Sequence, residues 1–197
     1  MFTRTISIFG TDIYHVLFWF LCYSVMGWVV ESTYMTICNK KITNRGFMYG
    51  PFCPIYAFGA LMVYFLLRPF SHNLVLTYFL GSITATGFEF FIGLLMQGFF
   101  GKVWWDYSKK PFNYRGVLCL ESTIAWGFYT VFLFLFLQKG VVWFTEMVPY
   151  HIGLRILPVV YTVAIMDFLI HLLMAKKEHM PERVENILTS IHSIRYR

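Results

Sequence analysis

The sequence predicts an all-α integral membrane protein of about five transmembrane helices. Its N-terminus is expected outside, its C-terminus in the cytoplasm, with a short amphipathic helix at the C-terminal end. Three observations carry this prediction. Of the 197 residues, 58% are hydrophobic and only 13% charged, whereas a soluble domain carries about 25% charged residues. Mean hydropathy is +0.60, and five stretches approach the ~20 apolar residues that a spanning helix needs. Finally, all of the 16 Lys and Arg except Arg4, Arg68, Lys139 and Arg155 fall on one side of a five-span layout. The positive-inside rule makes that side cytoplasmic. The composition also excludes a disordered chain, a coiled coil, a collagen and a disulfide scaffold.

The first span is read at residues 13–37, too long for a signal peptide and without a small-residue cleavage site. The second, 47–67, has Gly50, Pro51 and Pro54 near its start. Its first turns are therefore expected to be irregular and sheltered by protein. The third covers 74–100, the fourth 117–137 and the fifth 156–175. Residues 138–155 hold Lys139, Glu146, Pro149, His151 and Arg155 and are too polar for a further span. Their 141–144 patch is expected in the outer interface. The bundle thus occupies 1–177, and 178–197 form a cytoplasmic tail. There Val184, Ile187, Leu188, Ile191 and Ile194 recur on one helical face, which suits a membrane surface or a partner. The net charge of +6 is spread between apolar runs, so no nucleic-acid partner is expected. Cys22, Cys38, Cys53 and Cys119 form no CxxC pair and read as small buried hydrophobes.

Four acids lie inside the spans: Glu31, Glu89, Glu121 and Asp167. An acid at the bilayer centre costs about 2.5–3.5 kcal/mol on insertion scales, so each requires a partner or water. Their similar depths point to one shared polar centre. Gly81, Ala85, Glu89, Gly93 and Gln97 recur at every fourth position, a stripe that turns Glu89 into the bundle. Ser24, Gly27 and Glu31 do the same in the first span, as do Ala164, Asp167 and His171 in the fifth. The Asp167–His171 pair reads as a hydrogen-bonded pair rather than half of a metal site, and no metal or other cofactor is expected. The chain has no nucleophile elbow, HExxH or P-loop. No catalytic residues are assigned, and it is not expected to be an enzyme or to hydrolyse ATP alone.

Two basic loops carry the most unusual sequence: Asn44-Arg45-Gly46 through Gly50-Pro51 to Tyr56, and Trp105-Asp106-Tyr107 through Asn113 to Arg115-Gly116. Each brings an Asn and an Arg-Gly step to the next span, where Arg can meet the acids or lipid phosphate. Gly27…Glu31…Asn44-Arg45-Gly46…Gly59 compares with Gly87…Glu89…Asn113…Arg115-Gly116…Gly127, which points to a parallel repeat of two-helix units.

Gly27-Trp28-x-x-Glu31, the Asn44–Tyr56 string, and Trp105-Asp-Tyr-Ser108…Asn113…Gly116-x-x-Cys119 together resemble the ABC-transporter type IV family of small bacterial membrane proteins, the CmpB-like group. The resemblance covers residues 13–135, with Ala57 where a glycine is expected. It implies a transport component of the bacterial cell membrane, a permease-like subunit with a cytoplasmic ATPase or another membrane subunit as partner. Five short spans also point to an oligomer. Two other readings stay open: an enzyme acting on lipid at the cytoplasmic leaflet through Glu31, Glu121, Arg45 and Arg115, and a non-catalytic scaffold.

Overall fold

The computed structural model describes residues 7–44, 48–100 and 105–178. Helices dominate it: α1 (Ile13–Asn39), α2 (Pro54–Leu67), α3 (Leu74–Phe100), α4 (Leu120–Phe132), α5 (Gln138–Met147) and α6 (Tyr150–Glu178). The chain is an all-α membrane protein. Four helices are long and apolar enough to cross a bilayer: Ile13–Asn39, Leu74–Phe99, Leu120–Met147 and Tyr150–Met174. A small antiparallel hairpin, β1 (Ser7–Ile8) and β2 (Thr11–Asp12), precedes α1. Its turn residues Phe9 and Gly10 both have positive φ, as a tight hairpin turn requires. The Phe9 ring rests 5.5 Å from that of Phe65, near the C-terminal end of α2.

The second span is shorter than the sequence predicts. α2 starts at Pro54, and its 14 residues rise about 21 Å, less than the ~30 Å hydrocarbon core. A 3-10 turn, Arg68–Phe70, continues it. Residues 48–53 are not helical, yet Met48 is only 3% exposed. Their backbone is satisfied by the protein: Cys53 N–H bonds to Ser24 O of α1 at 2.9 Å, and Phe52 N–H to Gly50 O at 2.8 Å. Irregular backbone at this depth survives only with such shelter.

The polar stretch 138–155, expected to form no further span, is helical almost throughout. α4 runs through a π-helical turn, Leu133–Leu137, straight into α5, and only Val148 and Pro149 separate α5 from α6. Lys139, Glu146, Pro149, His151 and Arg155, which argued against a further span, are exposed, while two other polar residues turn inward. Gln138 is 5% exposed, its Oε1 accepting the Tyr23 hydroxyl of α1 at 2.6 Å. Buried Thr145 donates its hydroxyl to Val141 O at 2.8 Å. Val141 joins the core, while Trp143 and Phe144 of the same patch stay exposed. Val148 is extended, as a residue before proline prefers, and the chain reverses there.

α3 packs most extensively on α4, and α1 on α2; α2 also touches α3, and α1 touches α5. The core lies among Trp19, Tyr23, Ala57, Leu61, Val63, Ala85, Leu133 and Val141. Outside it, Val75, Phe79, Ile83, Phe128 and Phe136 remain exposed, the lipid-facing surface of a bundle. Lipid is as apolar as these side chains, so close packing rather than hydrophobicity joins the helices. Gly81 shows this: an added Cβ would overlap the Thr130 side chain of α4. α6 is the least covered helix and touches α1 through the Tyr161 hydroxyl, which bonds to Leu17 O at 2.9 Å. The tail expected over 178–197 lies outside the described residues, except that Glu178 ends α6.

Candidate functional site

The stripe on α3 does what its spacing predicts at four of its five positions. Gly81 meets Thr130, Ala85 is buried, Glu89 faces α4, and Gly93 abuts Val117, while Gln97 is exposed. Glu89 is 8% exposed and collects three donors. Trp126 Nε1 lies 3.0 Å away, the Tyr107 hydroxyl 3.1 Å and the Ser122 hydroxyl 3.2 Å. Three donors on one carboxyl group replace part of the hydration lost on burial.

Glu31 is held in parallel fashion from α1, accepting the Tyr56 hydroxyl of α2 at 2.5 Å. Gly27, one turn earlier, lets this contact form, since an added Cβ would overlap the Tyr56 side chain. The two hairpins match further than the sequence comparison proposed. Ser24-x-x-Gly27-x-x-x-Glu31 of α1 corresponds to Ser82-x-x-Ala85-x-x-x-Glu89 of α3. Cys53 occupies the N-cap position of α2 and Cys119 that of α4, and the third residue after each, Tyr56 or Ser122, donates to the preceding helix's acid. Gly87, paired with Gly27 in the sequence comparison, has open space around it, and Ala85 stands at the equivalent position.

The expected single polar centre is divided in the structure. Asp167 of α6 serves the irregular segment before α2. Its two oxygens accept Gly50 N–H at 2.8 Å and Tyr49 N–H at 3.3 Å, and His171 Nδ1 lies 3.1 Å from Oδ1. The Tyr49 and His171 rings meet edge-on at 4.1 Å. Asn44 ties the same segment to α1, accepting Trp28 Nε1 at 2.6 Å and donating to Tyr49 O at 3.2 Å. Pro51 follows on the exposed side, while Arg45 and Gly46 lie outside the described residues. Glu121 belongs to neither group. It stands in the first turn of α4, 67% exposed, and pairs with Lys110 at 2.6 Å. That carboxylate holds the ammonium of Lys110 above its usual pKa.

The second basic loop is a compact knot. Tyr107 N–H bonds to Gly116 O at 2.8 Å, and Trp105 Nε1 to Val117 O at 2.9 Å. Asn113 Nδ2 donates to Lys110 O at 2.9 Å and to Ser108 O at 3.2 Å. Asp106 accepts both the hydroxyl and the N–H of Ser108, which lowers its pKa. Burial, then the charge of Glu89, pushes the Tyr107 phenol well above its ordinary value, so it stays a donor. The knot pushes Phe112 outward: it is 82% exposed, with φ of +53°, beside exposed Lys109 and Lys110. A bulky residue with positive φ is held there by its surroundings. Arg115, also at positive φ, stacks over Tyr114 at 5.8 Å, and among the described residues it forms no ion pair.

Sequence reasoning missed the partners of the acids: Tyr56, Ser122 and Trp126. The common spacing of Tyr56 and Ser122 from their N-cap cysteines was the available signal.

Comparison with curated proteins and with solved structures returns no match. A family model described as Putative ABC-transporter type IV, of CmpB type, matches residues 18–172. That range is more than half of the chain and contains both acid-bearing hairpins, the knotted loop and the Asp167–His171 pair. The chain belongs to this ABC-transporter-type family of membrane proteins.

Proposed function

We propose that the chain is a permease-like subunit of an ATP-driven transporter, working with a separate cytoplasmic ATPase. Its orientation in this reading is N-terminus outside and C-terminus inside a bacterial cell membrane, as the charge partition predicts. One observation carries the proposal: a rigid loop on the basic side presents exposed Phe112 between exposed cationic neighbours. The same loop is anchored through Tyr107 to Glu89 in the bundle. An aromatic anchor on a preorganised loop suits protein recognition, since little ordering entropy remains to be lost on binding. The Tyr107–Glu89 bond gives movement of the loop a mechanical path to α3 and α4. No reaction is assigned to the chain's own residues. The lipid-enzyme reading is disfavoured because Glu31 is bound by Tyr56 while Glu121 is bound at the surface by Lys110.

A scaffold is the second reading, favoured by the full set of donors on Glu89. Extraction of the tagged full chain from its native membranes in mild detergent separates the two. The transporter reading expects a P-loop ATPase to co-purify, and Phe112→Ala to cut its recovery about tenfold or more while the chain stays folded. Intact complexes that repeatedly lack an ATPase would overturn it in favour of the scaffold.

A further inference from the structure

At the end of the bundle opposite the basic loops, α2 stops while α4 and α5 continue, because α2 is the short helix. The step leaves an open cavity of about 450 Å³ between the 3-10 turn and α5. Arg68, the first residue of that turn, and Lys139 of α5 bring two cations to it, and Glu146 one anion. Among the described residues none of the three forms an ion pair. Arg68 instead lies 5.9 Å over the Tyr64 ring. Gln138 also lines the cavity and supplies an independent sign of a ligand. Its side chain is 95% buried, its Oε1 is taken by Tyr23, and its Nε2 is left without an acceptor. A buried amide donor without a partner costs about 1–3 kcal/mol, which an acceptor in the cavity would recover. The π-helical turn ends at Leu137, so Gln138 and Lys139 follow a local change in helix register, a feature frequent at binding sites.

Tyr64 and Trp143 give the cavity an apolar wall. Two cations against one carboxylate favour a monoanion over a dianion. An aromatic wall at the rim of a lipid-facing bundle favours an amphiphile over a free ion. We propose that this cavity binds the phosphodiester headgroup of a membrane lipid. Arg68 and Lys139 hold the phosphate, a turn of the enclosed Gln138 amide lets its Nε2 donate to one of its oxygens, and the acyl chains lie along α4 and α5. In the orientation proposed above the lipid is in the outer leaflet, but binding does not depend on that orientation or on an ATPase.

The test uses the full chain, delipidated in detergent. Short-chain phosphatidylglycerol, glycerophosphoglycerol and inorganic phosphate are titrated separately, by native mass spectrometry and thermal unfolding. Phosphatidylglycerol is expected to be retained and to raise the unfolding temperature. Arg68→Gln with Lys139→Gln should weaken it at least about tenfold, and the two soluble anions should bind far more weakly. Should the double variant not fold, Lys139→Glu, at an exposed helical position, tests the same attraction. Equal binding by the variants would overturn the proposal. So would equal binding by glycerophosphoglycerol or inorganic phosphate, which would assign the cavity to a free anion.

Discussion

Tyr107 connects loop and bundle through one hydroxyl, and its chemistry can be tested in isolation. Its phenol donates to Glu89 from a half-buried position, and its pKa is raised by burial and by that carboxylate. A raised folded-state pKa means that the stabilisation is complete below the ordinary tyrosine value of about 10. It is lost as pH rises through the folded value, because the unfolded chain releases its proton first. Tyr107→Phe is therefore expected to lower stability by about 1.5–3 kcal/mol at neutral pH, the worth of a hydrogen bond to a charged group. It should also flatten the fall in stability above about pH 10; chemical unfolding followed across pH checks both. Glu31, Glu89 and Asp167 were legible as residues needing partners, since the cost of an acid in lipid does not depend on the fold. The partners were not legible, because Tyr107 and Trp126 also fit the ordinary interfacial and core roles of aromatic residues. Glu121 was misplaced with the central acids because an apolar run does not reveal which residues lie in the first turn beside a basic loop.

Two-helix hairpins organise the elements, and small residues decide how closely their helices approach. Gly81 and Gly87 occupy one helix six positions apart with opposite consequences. A methyl group at Gly81 would overlap Thr130, whereas one at Gly87 meets nothing within 4 Å. Gly81→Ala is expected to reduce the folded, monodisperse yield markedly by separating α3 from α4. Gly87→Ala should leave it unchanged or raise it through better helix propensity. Fluorescence-detected size exclusion of the two variants checks the pair. The stripe containing Gly81 was legible from its four-residue period. The matched hairpins were legible only in outline, because Ala85 rather than a glycine stands opposite Gly27. The short α2 was foreshadowed by Gly50, Pro51 and Pro54. The continuous α4–α5 helix was not, because the polar Lys139 and Glu146 that argued against a span lie on its exposed face, while Gln138 and Thr145 turn inward.

At the scale of the whole molecule, the partition of Lys and Arg predicts opposite exposures for the two ends. A single cysteine at Ser108 in a cysteine-free background should react with a membrane-impermeant maleimide only after the cytoplasmic face is opened. One at Ser71 should react from outside in intact cells, and the reverse pattern would invert the orientation. Membrane residence, the helical class and the acids that demand partners were set by composition and period. These depend on transfer from water to hydrocarbon, a local and nearly additive property of each segment. Tertiary packing decided that Glu31 and Glu89 occupy equivalent places in matched hairpins, while Asp167 secures a non-helical segment on a different helix. It also formed the second loop into a knot and left a charged cavity where α2 ends early. Those outcomes depend on which side chains meet across helices, and the spacing of residues along one chain does not specify that.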